Sequence, residues 1–162
     1  MKLAEIKLKV DSAIKWLLII LMAMMTINVL WQVFTRFIMQ DPSSYTEELA
    51  RFMLIWLGIL GASYVAGQKM HLAIDLLSQK LEGRSKSYLE LFIQSMIFLF
   101  SLFVMVIGGF RLVQITLTLN QISAALQVPL GYIYCVVPLS GALMMFYSAV
   151  FITGELKKLK SS

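Results

Sequence analysis

Long apolar runs without a charged residue constrain the fold of this chain more than any other feature. Three such runs are Trp16–Phe34, Phe52–Gln68 and Leu91–Phe110, and a fourth uncharged interval lies between Arg111 and Glu155. Uncharged apolar runs of about 18 or more residues are typical of helices that cross a bilayer. Hydrophobic residues make up 59% of the chain and charged residues 14%, whereas soluble domains have roughly half and a quarter. The sequence therefore indicates a membrane protein.

Pro129 divides the long uncharged interval. Proline cannot donate a backbone hydrogen bond, and it biases the residue before it away from the helical conformation. The sequence thus predicts an all-α integral membrane protein, a single membrane domain (1–162) with four transmembrane helices. Their expected limits are about 16–38, 48–68, 89–111 and 130–153, and apolar residues at helical spacing continue the third to about 122.

The basic residues predict the orientation of these spans. All Lys and Arg residues precede span one, lie between spans two and three, or follow span four, except Arg36, Arg51 and Arg111. Positive charge is enriched on the cytoplasmic side of membrane proteins, so we expect both termini and the middle connection in the cytoplasm. The net charge of +5 then reflects topology and contact with anionic membrane lipids. It does not indicate nucleic-acid binding, because nothing gathers these charges into a soluble patch.

The residues before span one also have helical spacing. Ile6, Val10 and Ile14 recur on one face of a helix, which predicts an amphipathic segment at the membrane surface. In that arrangement Lys7 and Asp11 are turned away from the apolar face. A frayed, solvated terminus is the alternative.

The connection between spans two and three predicts a short amphipathic helix at about 70–82. Met70, Ile74 and Leu77 fall on one face, with His71 and Asp75 roughly opposite. A helix of about a dozen residues is too short to cross a bilayer, so it is expected in the cytoplasmic interface. His71 and Asp75 would suit a metal or a proton relay, but two ligands make a poor metal site. A surface pair on an interfacial helix is the favoured interpretation.

Residues that catalysis or cofactor binding would need are scarce. The chain has one cysteine, Cys135, and one histidine, so alone it holds neither a thiol–disulfide pair nor a bis-histidine haem site. Ionisable residues inside a span usually mark an ion pathway, and here each one lies at or beyond a span end. Asn28 is among the few polar residues inside the spans, and these are expected to hydrogen-bond between helices. We expect no enzyme activity, no cofactor, no metal and no transport by this chain alone.

Small residues follow one another along span two. Gly58, Gly61, Ala62 and Ala66 would let another helix approach closely. That helix belongs either to this chain or to a second subunit, and the sequence favours neither. Trp56 is expected at the membrane interface, in contact with lipid or a partner.

The N-terminal end of span two carries two acids and a base, Glu47, Glu48 and Arg51. Ser44 and Glu47 fit a capping box, and Arg51 can pair with either acid. One acid would satisfy the arginine, so the second is a surplus charge that faces the outer compartment. We expect these residues to form part of a partner interface, unless helix capping accounts for both acids.

Two stretches of the chain resemble a known family. One is EELARFMLIWLGILGA, from Glu47 to Ala62, with HLAID, from His71 to Asp75, after it. The other is LQVPLGYIYCVVPLS, from Leu126 to Ser140. Both are similar to the small membrane subunit (Q-type) of TRAP (tripartite ATP-independent periplasmic) transporters. The resemblance covers the whole chain in length and in the layout of its spans.

The resemblance implies a scaffold and docking subunit in the bacterial inner membrane. Such a subunit pairs with a large membrane subunit that carries the sodium and substrate sites. A periplasmic substrate-binding protein delivers an organic acid, such as sialic acid or a C4-dicarboxylate. The alternative is a small four-helix exporter that acts as a homodimer. Exporters of that kind generally need a carboxylate within the membrane, and the four spans have none.

Overall fold

The computed structural model of the chain describes residues 2–41, 43–68 and 84–161. These residues form helices joined by short connections, with one isolated bridge between Ile122 and Pro129. The predicted all-α fold is confirmed. The expected interfacial helix at about 70–82, with His71 and Asp75, lies outside the described residues.

Four helical spans account for most of the described residues. Their bounds are α1 (Lys2–Phe37) for span one, α2 (Ser44–Gly67) for span two, α3 (Arg84–Phe100), a π-helical segment (Ser101–Gly108) and α4 (Gly109–Thr118) for span three, and α5 (Leu130–Tyr134) and α6 (Val136–Ser161) for span four. Among the described residues, four helices are long and apolar enough to cross a membrane. The predicted number of membrane helices is therefore confirmed.

Spans one and three are longer than the apolar runs at their centres. Span one is a continuous helix from Lys2, so the N-terminal segment and the membrane segment form a single rod. Span three continues past Arg111 to Thr118. Its 34 residues from Ser85 to Thr118 extend about 50 Å at 1.5 Å per residue, whereas a hydrocarbon core is about 30 Å thick. The ends of span three therefore lie outside the hydrocarbon core.

The four spans lie side by side in a row. Span one packs along span two, span two along span four, and span four along span three. Within the described ranges, neither span one nor span two packs along span three. None of the most apolar 18-residue stretch of span one is buried against the rest of the chain. The row leaves two broad apolar faces, and faces of this kind need lipid or another protein against them.

Glycines allow spans three and four to approach each other closely. A Cβ atom added at Gly141 would lie 2.6 Å from the Cβ atom of Met105 and 3.1 Å from the backbone nitrogen of Val106. One added at Gly109 would lie 2.9 Å from the Cδ atom of Pro138. Such distances are too short for real carbon atoms, so the contact between the two spans requires glycine at both positions.

Span four is interrupted near its beginning. Pro138 has no backbone N–H, so the carbonyl of Tyr134 lacks the donor that a regular helix would supply. The interruption falls at Cys135, between α5 and α6. This proline therefore ends the regular helix one turn before its own position.

Side chains join spans one and four near the end of the molecule where span one begins and span four finishes. The Asp11 carboxylate accepts a hydrogen bond from the Tyr147 hydroxyl at 2.7 Å and pairs with Lys7 Nζ at 2.7 Å. Tyr147 is 1% exposed, whereas Ile6 is 49% exposed. Lys7 and Asp11, predicted opposite the apolar face, therefore contact the protein. Ile14 of the apolar face is also buried, with 6% of its surface exposed, so both faces of the helix have residues in contact with the rest of the chain.

Candidate partner-binding surfaces

Span two begins without the predicted capping box. The N-cap residue is Ser43, with φ −81° and ψ 110°, and its side chain makes no capping hydrogen bond. Thr46 donates its hydroxyl to the Ser43 carbonyl at 2.7 Å. The prediction of Ser44 as N-cap with Glu47 at the third helical position is therefore wrong, because the helix starts one residue earlier and places Thr46 there.

Arg51 pairs with Glu47, the first of the two acids within reach on the same helix. The distance between Arg51 Nη2 and Glu47 Oε1 is 3.4 Å, and the two side chains are 66% and 65% exposed. Exposed pairs of this kind contribute only roughly 0 to 1 kcal/mol to stability. Both residues remain accessible to a partner, as expected of interface candidates.

Glu48, the second acid, is bound within the chain. Its Oε2 atom accepts the N–H groups of Leu126 at 2.7 Å and Ala125 at 2.9 Å, and its Oε1 atom accepts that of Ala124 at 3.1 Å. Hydrogen bonds to a charged acceptor are shorter and stronger than those between neutral groups. Glu48 is therefore not the free surplus charge expected from the sequence, since three consecutive amides occupy its two oxygens.

These amides belong to the connection between spans three and four, which we call the 121–128 loop. It has the shape of a narrow hairpin: Leu130 N–H donates to Gln121 O, and Ser123 N–H donates to Val128 O, each at 2.9 Å. Val128 N–H donates to the Ser123 hydroxyl oxygen at 3.2 Å. Gln127 has φ 55°, a left-handed conformation that costs free energy for a residue other than glycine. The loop thus has a defined conformation, although the backbone conformation of Gln127 within it is unfavourable.

Span two also binds the spans on either side of it. Trp56 Nε1 donates to the Ile133 carbonyl at 3.0 Å, which ties span two to the interrupted part of span four. Asn28 Nδ2 in span one donates to the Thr46 carbonyl at 2.8 Å, in agreement with its predicted role between helices. The indole N–H of Trp56 is thus used within the chain. Span two connects span one, span four and the 121–128 loop.

The small residues of span two fall into two groups. Ala66 is buried, with 6% of its surface exposed, so packing within the chain explains its size. A Cβ atom added at Gly58 or Gly61 would meet nothing within 4 Å, and Ala62 is exposed. Nothing in the described part of the chain requires glycine at these two positions. Contact of Gly58, Gly61 and Ala62 with a second subunit stays a prediction.

The rest of the described surface is mostly apolar. A groove of about 290 Å³ lies between spans one and two, with Ile27, Trp31 and Met53 among its lining residues. Such a groove suits lipid chains or an apolar partner helix. No group of three or more His, Cys, Asp or Glu residues that could hold a metal occurs in the described ranges. His71 and Asp75 lie outside those ranges, so their interfacial role stays a prediction.

The sequence did not predict the role of Glu48, because its partners are backbone N–H groups, which every residue except proline carries. One signal was present. Once Arg51 pairs with Glu47, the second acid has no basic partner at the membrane boundary. A carboxylate in that position needs hydrogen-bond donors from elsewhere in the chain.

Four apolar spans in an open row, tied together through span two, define a small multi-pass membrane protein. The model of the family described as tripartite ATP-independent periplasmic transporters, DctQ component, matches residues 25–158. The chain belongs to this family, as the motifs in span two and at the start of span four indicated. The family is one of transporter permease subunits and not of enzymes. Together with the four apolar spans, it is consistent with a multi-pass protein of the inner membrane.

Several named proteins are similar to this chain. A protein of Haemophilus influenzae, provisionally named a TRAP transporter small permease protein, is 30% identical over 89% of this chain and 86% of its own length. The sialic acid TRAP transporter small permease protein SiaQ of Vibrio cholerae is 27% identical over 72% of this chain and 70% of its own. The sialic acid TRAP transporter permease protein SiaT of Haemophilus influenzae is 26% identical over 71% of this chain, which matches 18% of that longer protein.

Proposed function

We propose that this chain is the scaffold and docking subunit of a sodium-coupled secondary transporter in the bacterial inner membrane. A large membrane subunit carries the sodium and substrate sites. A periplasmic binding protein delivers an organic acid of the sialic acid or C4-dicarboxylate type. The chain itself binds no sodium and forms no translocation path.

The open row of spans is the observation that carries this proposal. A transport path needs polar or ionisable groups enclosed within the membrane, whereas the described spans of this chain pack in the order one, two, four, three, without packing of span one along span three. Such a row does not close around a path for a substrate. It does have two apolar faces, one of which suits a large partner while the other faces lipid.

Two longer relatives support the pairing with a large subunit. The chain matches 18% of the SiaT permease protein and 16% of the isethionate TRAP transporter permease protein DctMQ of Oleidesulfovibrio alaskensis. A segment like this chain is thus part of a much longer permease polypeptide in those proteins. Segments joined in one chain are held close together, and we infer that the separate chain binds a corresponding large subunit.

The names of the relatives support an organic acid as the substrate. They include sialic acid, a carboxylate, and isethionate, a sulfonate. One kind of small subunit therefore occurs with chemically different anions. This agrees with a substrate choice made on the large subunit and the binding protein.

The proposal predicts a sharp difference between the chain alone and the complex in proteoliposomes. The chain alone should move no solute under a sodium or proton gradient, because the apolar runs at the centres of its spans contain no Asp, Glu, Lys or Arg. The complex with the large subunit and a loaded binding protein should show sodium-dependent uptake of radiolabelled sialic acid or a C4-dicarboxylate. Robust cation export by the chain alone would instead support the homodimeric exporter.

The orientation of the spans is tested by cysteine labelling. In a Cys135→Ala background, Asp41→Cys should react with a membrane-impermeant thiol reagent added to intact spheroplasts. Ser85→Cys should react only after the membrane is permeabilised, because the basic residues predict that its end of span three is cytoplasmic. Both positions are exposed in the chain. The reverse labelling pattern would place the 121–128 loop in the cytoplasm, out of reach of a periplasmic protein.

A further inference from the structure

We propose that Glu48 is a positioning residue that holds the 121–128 loop in the conformation that docks the substrate-binding protein. This inference rests on the proposed function, because the binding protein is the partner proposed there. The contact with the binding protein is made by the loop. The carboxylate acts on the loop and not on the partner.

The geometry of the carboxylate supports a positioning role. Both oxygens of Glu48 accept backbone N–H groups from consecutive residues, at 2.7 Å for Leu126, 2.9 Å for Ala125 and 3.1 Å for Ala124. Three amides converge on one side chain, so its removal would leave these exposed or half-buried donors to water, which does not hold them in one arrangement. Glu48 lies in the first turns of span two, a helix that is fixed in the membrane. The anchor of the loop is therefore rigid.

The loop depends on this anchor for its shape. Its hairpin bonds join its two arms, but Gln127 holds a left-handed conformation with φ 55°. The preceding turn is the part that Glu48 binds. Without the carboxylate, nothing ties the three amides to span two, and the conformational preference of Gln127 favours other arrangements of the turn. The loop would then sample several conformations instead of one.

The outward side chains of the loop suit a protein partner. Gln121, Ala124 and Gln127 are exposed and uncharged, whereas the hydroxyl-bearing Ser123 is only 4% exposed. Ile122, four residues beyond the end of span three at Thr118, is 52% exposed. A surface of uncharged side chains binds by shape and hydrogen bonding. Such binding is strengthened when the surface is already ordered, because less conformational entropy is lost.

The test uses the complex of the large and small subunits in proteoliposomes with the loaded binding protein. Glu48→Gln keeps the size of the side chain but replaces one acceptor with an N–H₂ donor. We expect the half-saturating concentration of binding protein to rise about tenfold, while the maximal uptake rate changes by less than about twofold. Hydrogen exchange of amides 124–126 should accelerate about tenfold in the same variant. A role in stability alone would lower the maximal rate instead.

Glu47→Gln is the matched control. It makes the same chemical change one residue earlier, where the carboxylate pairs with the exposed Arg51, and it should alter neither readout. If Glu48→Gln fails to assemble, Ser123→Ala provides a second variant. It removes the acceptor of Val128 N–H and the hydroxyl that hydrogen-bonds Glu48, but it keeps the carboxylate and its bonds to the three amides, so it should raise the half-saturating concentration by a smaller factor.

Four results would overturn the proposal. Faster exchange in Glu48→Gln with an unchanged half-saturating concentration would show that the loop does not dock the binding protein. Rescue of Glu48→Lys by a charge reversal on the binding protein would assign a direct charge contact. Protection of the loop by the bilayer, with no further protection on adding binding protein, would assign it to lipid. Unchanged readouts in both Glu48→Gln and Ser123→Ala would exclude any positioning role.

If uptake by the unmodified complex does not depend on the binding protein, the proposed function itself fails.

Discussion

Gly141→Ala is expected to lower the thermal unfolding temperature of the purified subunit by about 10 °C. The added methyl group would lie 2.6 Å from the Cβ atom of Met105 and 3.1 Å from the backbone nitrogen of Val106. Neither atom is the end of a flexible side chain, so the two helices themselves must move apart. Overpacking of this kind typically costs about 1–3 kcal/mol. Unfolding is measured by size-exclusion fluorescence in detergent across a temperature series.

Gly154→Ala is the matched control for this prediction. A Cβ atom at Gly154, further along the same helix, would meet nothing within 4 Å. Alanine favours the helix over glycine, so the control should unfold at the same temperature or slightly higher. Equal unfolding temperatures for Gly141→Ala and the unmodified chain would show that spans three and four are not held at the distance the structure gives them.

The number and type of spans followed from the sequence because the bilayer permits few alternatives. A long uncharged apolar run can satisfy its backbone groups in lipid only as a helix or in a closed barrel. The order of the helices did not follow. Lipid chains are as apolar as a leucine side chain, so a face that contacts lipid and a face that contacts another helix have similar composition. The open row is therefore visible only in the structure.

The contacts that the sequence did not predict at both ends of the molecule have a common physical cause. Lys7 and Asp11 were expected on the polar face of an amphipathic helix at the membrane surface. Tyr147, distant in sequence, supplies a hydroxyl to the aspartate, so part of this polar face contacts the protein. Glu48 is likewise satisfied by amides of a distant connection. Local patterns predict which residues need a partner, but they do not show which part of the chain provides it.

The candidate interface of span two was predicted only in part. The sequence identified a series of small residues without separating those that pack within the chain from those that do not. The structure makes this separation, since Ala66 is buried while the positions of Gly58 and Gly61 are open. No described residue therefore explains the two glycines, and their contact with a helix of the large subunit stays a prediction.

Gly61→Leu is expected to abolish co-purification of the subunit with its large partner while the isolated subunit still folds. A Cβ atom at this position would meet nothing within 4 Å, so the leucine should fit the isolated chain. In the complex it would keep a partner helix from the close approach that glycine allows, because helices in membranes associate mainly through such packing. We expect at least about a tenfold loss of small subunit recovered with a tagged large subunit. Gly58→Leu should act in the same direction.

Gly154→Leu separates this effect from a general effect of leucine on insertion or folding. It places the same side chain in equally open surroundings on span four, where the predicted interface does not extend, and its recovery with the tagged large subunit should be normal. The unfolding temperature of each isolated variant shows whether the fold is retained. If both Gly58→Leu and Gly61→Leu are recovered in full, the large subunit does not contact this face of span two. The broad faces of spans one and three would then be the surfaces left for it, because they are the other large apolar areas of the row that the described residues do not cover.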